Sequence, residues 1–197
     1  GPGVGAHEVI HVQIGDHRVV RDLVVHPGAV GVIALDDQDR VLLIRQYRHP
    51  VAAFLFEPPA GLLDTHKETA WDCAQRELAE EAGLRADDWH VLIDFLNSPG
   101  GTSETLRCFL ARGLHPLEGG REHTGEAEEA HLPQAWVPLD EAVSLVLSGA
   151  VQNPTATNGI LAAAAARGRG WAGLRPADAP WPVRDWVESL GNVRQPG

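Results

Sequence analysis

The stretch Gly61–Leu84 reads GLLDTHKETAWDCAQRELAEEAGL and predicts a loop, a helix and a helix stop in that order. Gly61 opens the loop, and the residues from about Lys67 to Ala82 favour a helix. Gly83 ends the helix, because glycine adopts the left-handed conformation of a helix C-terminus without steric cost. We expect the rest of the chain to be organised around this loop and helix.

Three glutamates lie in the predicted helix, at positions 77, 80 and 81. Glu77 and Glu81 are four residues apart and therefore share one face of the helix. The small apolar residues that fall on the same side are Ala70, Cys73, Ala74 and Leu78. Because these residues should face the core, the two carboxylates are expected on or beside the buried stripe.

Two like charges at this spacing cost about 0.2–0.5 kcal/mol even on an exposed helix, and burial increases the cost. A divalent cation would remove the repulsion, and clustered carboxylates are ligands that Mg²⁺ or Mn²⁺ prefers. The alternative interpretation is a solvated acidic face with Asp72–Arg76 and Arg76–Glu80 as surface ion pairs. The position of Glu77 and Glu81 on one side of the helix and the sequence RELAEEAG at 76–83 favour the metal site.

This sequence resembles the Nudix box, the metal-binding loop and helix of the Nudix hydrolases. The family pattern is Gly, five residues, Glu, seven residues, and then Arg-Glu-apolar-x-Glu-Glu-x-Gly-apolar. The chain matches the pattern at every position from Glu68 to Leu84. Six residues separate Gly61 from Glu68, and we interpret the difference as a one-residue insertion around Thr65–Lys67.

Two segments before the box add to the resemblance, the first to the branch of the family that hydrolyses ADP-ribose and the second to the family in general. One is QYRHP at 46–50, and the resemblance implies that Arg48 contacts the substrate's phosphates, a task that suits a guanidinium. Taken alone, an arginine at a strand end is usually a surface residue. The other is EPPAG at 57–61, which implies that the Ala60 carbonyl is a metal ligand and that Glu57 helps at the site or orients its neighbours.

The segment NSPGGTSE at 97–104 predicts a Pro-Gly turn on its own composition. Pro99 follows Gly83 by sixteen residues, and a Ser-Pro-Gly at this place is typical of the ADP-ribose branch. Glu104 matches an acidic residue that is common there. The resemblance therefore makes Pro99 and Glu104 candidate substrate-binding residues.

The segment Gly113–His131 is rich in Gly, Glu and His, and predicts a mobile loop. One interpretation is a solvated acidic insertion. In the enzymes that the chain resembles, however, a Glu shortly before the strand leading to Trp-x-Pro is the general base. Glu129 and Glu128 are the candidates, with Glu129 slightly favoured, and Glu126 is a third.

Composition and charge limit the class of protein. The chain has 197 residues, 44% of them apolar, which is enough for one domain with a substantial core. Its net charge of −11 argues against binding to nucleic acid or to an anionic membrane. Two cysteines, Cys73 and Cys108, form neither a disulfide framework nor a zinc pattern and fit a reducing cytoplasm. We find no signal peptide and no apolar run of spanning length.

Periodicity outside the box predicts strands that alternate with helices. The predicted strands cover 8–13, 18–25, 29–35, 40–46, 89–96, 105–110 and 134–137, and two helices cover 138–147 and 153–166. The resemblance implies an α/β fold, the Nudix α/β/α sandwich with a mixed β-sheet. We divide the chain into N-terminal strands (1–28), a Nudix domain (29–166) and a C-terminal extension (167–197).

The implied reaction is Mg²⁺-dependent hydrolysis of the pyrophosphate of ADP-ribose to AMP and ribose 5-phosphate, with Mn²⁺ as an alternative metal. Glu77, Glu81 and the Ala60 carbonyl would hold the metal, and Glu80 would join through a water. One alternative is another nucleotide sugar or a dinucleotide, such as GDP-mannose or NADH. Another is a Nudix-fold module that binds ADP-ribose without cleaving it. The resemblance also implies a homodimer that involves the N-terminal strands.

Overall fold

The computed structural model describes residues 5–64, 68–119 and 133–194. The strands in these ranges are β1 (Ala6–Ile14), β2 (His17–Val25), β3 (Ala29–Ala34), β4 (Arg40–Arg48), β5 (Ala53–Glu57), β6 (Ala60–Leu62), β7 (Leu84–Leu96), β8 (Thr105–Pro116), β9 (Gln134–Pro138) and β10 (Arg175–Pro176). The helices are α1 (Ala70–Ala82), α2 (Leu139–Leu147), α3 (Pro154–Gly168) and α4 (Pro182–Arg194). None of the helices in the described ranges is long and apolar enough to cross a membrane.

The strands form two sheets and a separate hairpin. The larger sheet has the order β10-β7-β8-β3-β6, with β3 and β8 parallel and the other pairs antiparallel. The smaller sheet has the order β5-β4-β9 and is antiparallel, and β1 pairs with β2 in the hairpin that the sequence predicts. The prediction of a mixed α/β fold is confirmed.

Strand β3 lies between two cores. Its six residues are all buried, as the continuous apolar run AVGVIA predicts. On one face Val30 and Val32 pack in the cluster that includes Cys73, Ala74 and Leu78 of α1. On the other face Ile33 packs in the cluster that includes residues of α2 and α3. Helices therefore cover both faces of the larger sheet, which is the layered arrangement expected of an α/β/α sandwich.

Helix α1 begins at Ala70, so the predicted start near Lys67 was about three residues too early. The reason is a capping box: the Thr69 side chain accepts a hydrogen bond from the Asp72 N–H, and the Asp72 side chain accepts one from the Thr69 N–H. Gly83 ends the helix at φ 66°, as predicted. Glu68 consequently precedes the helix. Asp72 caps the helix N-terminus and does not form the surface ion pair with Arg76 that the alternative interpretation predicts.

Strands β7 and β8 are longer than the sequence predicts. β7 begins at Leu84 rather than Trp89, and β8 continues to Pro116, into the segment expected to be a loop from Gly113. The two strands pair antiparallel from Leu84–Pro116 to Leu96–Thr105 with one irregularity. This pairing supplies hydrogen bonds that local composition does not reveal, and it overrides the low strand propensity of Gly113.

The C-terminal extension packs against its own chain. β10 pairs with β7, and the Trp181 side chain is buried in the cluster that contains α1. Arg107 of β8 forms two hydrogen bonds to the Asp94 carboxylate, at 2.8 and 3.0 Å, and donates to the Ala179 and Pro180 carbonyls. Burial alone would raise the pKa of Asp94, but hydrogen bonds from Arg107 and Arg175 outweigh it and lower the pKa below its ordinary value.

We expect Arg107→Ala to lower the free energy of unfolding by about 3 kcal/mol, because it removes one partner of a buried ion pair and leaves two carbonyls unsatisfied. The Arg107 side chain is only 3% exposed. Arg85→Ala is the matched control, since the Arg85–Asp87 pair is 58% exposed on both sides and should contribute less than about 1 kcal/mol. Urea unfolding measures both free energies of unfolding. Equal losses in Arg107→Ala and Arg85→Ala would show that the burial of Arg107 does not increase its contribution to stability.

Candidate active site

Strand β6 and helix α1 meet at Ala60 and Glu81. The Ala60 N–H donates a hydrogen bond to Glu81 Oε2 at 3.0 Å. Ala60 lies opposite Gly31 of β3, and the neighbouring Val32 N–H bonds to the Pro59 carbonyl. Because hydrogen-bonded and non-hydrogen-bonded pairs alternate in an antiparallel ladder, the backbone polar groups of Ala60 point away from β3. The Ala60 carbonyl therefore points to the same side as the N–H that binds Glu81.

The Glu77 carboxylate lies directly over Gly61. A Cβ added to Gly61 would be 2.1 Å from Glu77 Oε1, so no residue other than glycine fits without moving Glu77. The requirement is for space, because the left-handed region is not involved at this glycine. Glycine at position 61 and the register of α1 together bring Glu77, Glu81 and the Ala60 backbone, three of the candidate metal ligands, to one place.

Arg76 links the acidic residues of the box. Its guanidinium donates to Glu68 at 2.8 and 3.2 Å, to Glu77 at 2.7 Å and to Glu80 at 3.1 Å. The hydrogen bonding that Arg76 donates to Glu68 is the main cause that raises the pKa of Arg76; burial opposes this, and the negative charges of Glu77 and Glu68 raise the pKa further. The pair with Glu80 was considered from the sequence, but the contacts with Glu68 and Glu77 were missed. Helical spacing gives no signal for the contact with Glu77, because adjacent residues of a helix point in different directions.

The contact between Arg76 and Glu77 bears on the repulsion expected between Glu77 and Glu81. The structure places Arg76 Nη1 at 2.7 Å from Glu77 Oε1, although adjacent helical residues usually diverge. The arginine side chain is long enough to reach around the helix. Part of the carboxylate repulsion is therefore offset by the protein itself.

Arg48 is held by a buried carboxylate. Its Nε and Nη2 atoms donate to the two oxygens of Glu57 at 2.8 and 2.5 Å, and Glu57 is 3% exposed. The hydrogen bond with Glu57 raises the pKa of Arg48, burial opposes this, and the negative charges of Glu57 and Glu81 raise it further. The effect of Glu81 shows that Arg48 lies within electrostatic reach of the box. Of the two roles considered for Glu57, this geometry matches the orienting one.

Pro99 and Glu104 lie on the loop between β7 and β8. Pro99 is exposed, whereas the Glu104 side chain is 22% exposed and its Oε1 is 3.9 Å from His26 Nε2. The loop is tied to β2, because the Val24 N–H donates to the Gly101 carbonyl and the Ser103 N–H donates to the Val24 carbonyl. Thus β2, rather than the box helix, supports this pair of predicted residues.

The candidate general bases Glu126, Glu128 and Glu129 lie outside the described residues. The chain on either side of their segment is attached to the end of α1. The Leu117 N–H donates to the Gly83 carbonyl at 2.9 Å, and Gln134 Nε2 donates to the Glu81 carbonyl at 2.9 Å. Both attachments are at the C-terminal turn of the box helix.

The two cysteines are buried thiols. Cys73 and Cys108 are both buried and unpaired. Burial raises the pKa of each thiol to about 12, and the charges of Glu68 and Glu77 act in the same direction on Cys73. Both thiols therefore stay protonated near neutral pH.

The donor set fits a hard divalent cation. Glu77, Glu81 and the Ala60 carbonyl offer oxygen atoms, and Gly61 leaves space beside the Glu77 carboxylate. Within the described ranges, no three acidic, histidine or cysteine side chains converge closely enough to form a metal site by themselves. This composition suits Mg²⁺, which often binds through one or two carboxylates and completes its shell with water and phosphate oxygens.

Several known proteins are similar in sequence to this chain. A model of the NUDIX domain matches residues 25–156. An ADP-ribose pyrophosphatase of Mycobacterium tuberculosis (strain ATCC 25618 / H37Rv) is 42% identical over 167 residues, which are 85% of this chain and 79% of the relative. A methanol dehydrogenase activator of Bacillus methanolicus is 34% identical over 144 residues, or 70% of this chain and 76% of the relative. An ADP-ribose pyrophosphatase of Bacillus subtilis (strain 168) is 37% identical over 128 residues, or 65% of this chain and 67% of the relative.

A solved structure described as an ADP compounds hydrolase has the same fold. It superposes with a TM-score of 0.68 over 85% of this chain and 97% of its own length. Its sequence identity is 22%, and the likeness is one of fold.

Proposed function

The chain belongs to the Nudix family of hydrolases, and we propose that it cleaves the pyrophosphate of ADP-ribose to AMP and ribose 5-phosphate. Two relatives named ADP-ribose pyrophosphatase support this substrate, at 42% and 37% identity. The observation on which the proposal mainly depends is the meeting of Glu77, Glu81 and the Ala60 backbone. The chain's charge of −11 opposes an anionic substrate, which agrees with a requirement for a cation at the site.

Proteins of this family generally use a divalent metal, and we propose Mg²⁺, with Mn²⁺ as the alternative. When bound, the metal would neutralise phosphate oxygens and lower the pKa of a coordinated water. Glu77, Glu81 and the Ala60 carbonyl would hold it, and Glu80 would contribute through a water. Arg76 orients this set, because its guanidinium bonds to both Glu77 and Glu80.

Arg48 would bind a phosphate of the substrate. The bidentate contact with Glu57 fixes the plane of the guanidinium and lowers the entropy that phosphate binding would otherwise cost. Glu104 and Pro99 would contact the nucleotide sugar from the loop after β7. We propose that Glu129 accepts the proton of the attacking water, with Glu128 and then Glu126 as alternatives. The described residues Leu117 and Gln134, which flank this segment, bond to the C-terminal turn of the box helix and support this proposal.

A substrate panel tests the proposal directly. With Mg²⁺ present, we expect kcat/KM for ADP-ribose to exceed the values for GDP-mannose and NADH by at least about tenfold, the discrimination that one or two specific contacts provide. A higher value for GDP-mannose would reassign the substrate within the family. Tight binding of ADP-ribose without formation of AMP, in Mg²⁺ or Mn²⁺, would instead indicate a binding module. Labelled oxygen from water would show which phosphorus is attacked.

We also propose a homodimer that covers the N-terminal hairpin. β1 and β2 form a two-stranded sheet of their own, and a lone hairpin is at best marginally stable in water. The exposed apolar side chains along it are Val9, Ile14, Val20 and Val24, each more than 40% exposed. A second copy of the chain would bury them, and light scattering would measure the mass. We assign the protein to the reducing cytoplasm because the two thiols are unpaired.

A further inference from the structure

Helix α4 of the C-terminal extension contains an arginine that reaches back to the N-terminal part of the chain. Arg184 Nη1 donates a hydrogen bond to the Pro27 carbonyl at 2.7 Å, across 157 positions of sequence. The Arg184 side chain is 18% exposed, and Glu188, one turn later, pairs with Nη2 at 2.5 Å. The guanidinium also lies 5.7 Å from the centre of the buried Trp181 ring. These contacts hold the guanidinium in one position.

The Pro27–Gly28 turn that Arg184 contacts is tightly enclosed. Gly28 has φ +90°, a conformation that favours glycine. A Cβ on Gly28 would be 2.3 Å from Arg184 Nη1 and 2.9 Å from Thr105 Oγ1. The Gly28 carbonyl accepts a hydrogen bond from the Leu63 N–H at 3.0 Å. The turn therefore joins α4 to the loop that opens the Nudix box.

The same turn supports the loop that contains Glu104. The Gly28 N–H donates to His26 Nδ1 at 3.0 Å, and the His26 N–H donates to Ser103 Oγ at 2.9 Å. The other ring nitrogen, His26 Nε2, lies 3.9 Å from Glu104 Oε1. A displacement of the turn would therefore move both the box entrance at Leu63 and the carboxylate of Glu104.

We propose that Arg184 is a positioning residue that sets substrate affinity by holding the Pro27–Gly28 turn against the box loop and the Glu104 loop. The inference rests on the proposed function, in which Glu104 contacts the substrate. A charged donor on a carbonyl gives one of the stronger hydrogen bonds in proteins, so its loss should loosen the turn. Small displacements of binding groups have large effects on substrate binding.

The test compares Arg184→Gln with Arg175→Gln. Both residues are arginines of the C-terminal extension, but Arg175 bonds to Asp94 at 2.7 Å, and no hydrogen bond among the described residues joins it to the turn. For Arg184→Gln we expect KM to rise about tenfold while kcat stays within about twofold, the pattern of lost binding. Backbone amides of 97–104 should exchange faster with deuterium. Arg175→Gln should change neither measurement.

Two further variants separate positioning from general destabilisation. Arg184→Lys keeps the charge and one donor, and should recover part of the affinity. Gly28→Ala disturbs the turn from the opposite side, and should raise KM and the exchange of 97–104 as Arg184→Gln does. Unchanged KM in both Arg184→Gln and Gly28→Ala would overturn the proposal, even if their melting temperatures fall. Equal KM increases in Arg184→Gln and Arg175→Gln would also overturn it.

Failure of the proposed function is distinguishable from failure of this inference. If the wild-type protein does not hydrolyse ADP-ribose, the kinetic comparison is made with the substrate from the panel that it does hydrolyse. The exchange measurement on 97–104 needs no substrate, so unchanged exchange in Arg184→Gln would reject the role of Arg184 whatever the activity. Faster exchange together with a higher KM for the true substrate would support it.

Discussion

Glu81→Gln is expected to reduce AMP release from ADP-ribose by about a thousandfold, the scale of losing a central electrostatic group of an active site. The amide oxygen of glutamine still accepts the hydrogen bond that the Ala60 N–H now donates to Glu81. The fold should therefore persist, while the negative charge needed to hold a divalent cation is removed. Steady-state kinetics in Mg²⁺ and a melting curve measure the two effects separately.

Glu141→Gln is the matched control for this change. It removes the same charge from an exposed position of helix α2, so activity should stay within about twofold of the wild type. Turnover of Glu81→Gln at the control's level would reject the proposed site. Loss of activity together with loss of the folded state would show instead that Glu81 serves mainly to attach β6 to α1.

Gly61→Ala is expected to reduce kcat/KM by about a hundredfold, because reacting groups tolerate displacements of less than an ångström. The added methyl would be 2.1 Å from Glu77 Oε1 and 2.4 Å from its Cγ, so the whole carboxylate must move. The same movement would disturb the contact with Arg76. Titration with Mn²⁺, followed by paramagnetic relaxation of water, should show weaker metal binding.

Gly168→Ala is the control for this second change, because nothing lies within 4 Å of the Cβ position at Gly168. Neither Gly61 nor Gly168 has a positive φ, so the two variants differ in available space rather than in backbone strain. Wild-type activity and metal affinity in Gly61→Ala would mean that the Glu77 carboxylate can move without consequence for the site.

The box helix shows which structural features can be predicted from neighbouring residues alone. Its amphipathic period predicted the burial of Cys73, Ala74 and Leu78, and Gly83 predicted its end, because both signals depend only on neighbouring residues. The start was misplaced, although Thr69 and Asp72 have the spacing of a capping box with aspartate as its acid. Helix termini are decided by single hydrogen bonds, so residue patterns locate them less well than the helix itself.

The sequence by itself determined the family and the box motif, and it predicted most of the strands and helices, because these depend on periodicity and on residues that lie close together along the chain. It did not predict the short strands β5, β6 and β10 or helix α4. Tertiary structure alone decided that Arg48 pairs with Glu57, that Arg107 fastens the C-terminal extension, and that Arg184 reaches Pro27. Each of those contacts joins side chains or carbonyls from different elements. Their distances follow from how the sheets and helices pack, and no local pattern of residues encodes that packing.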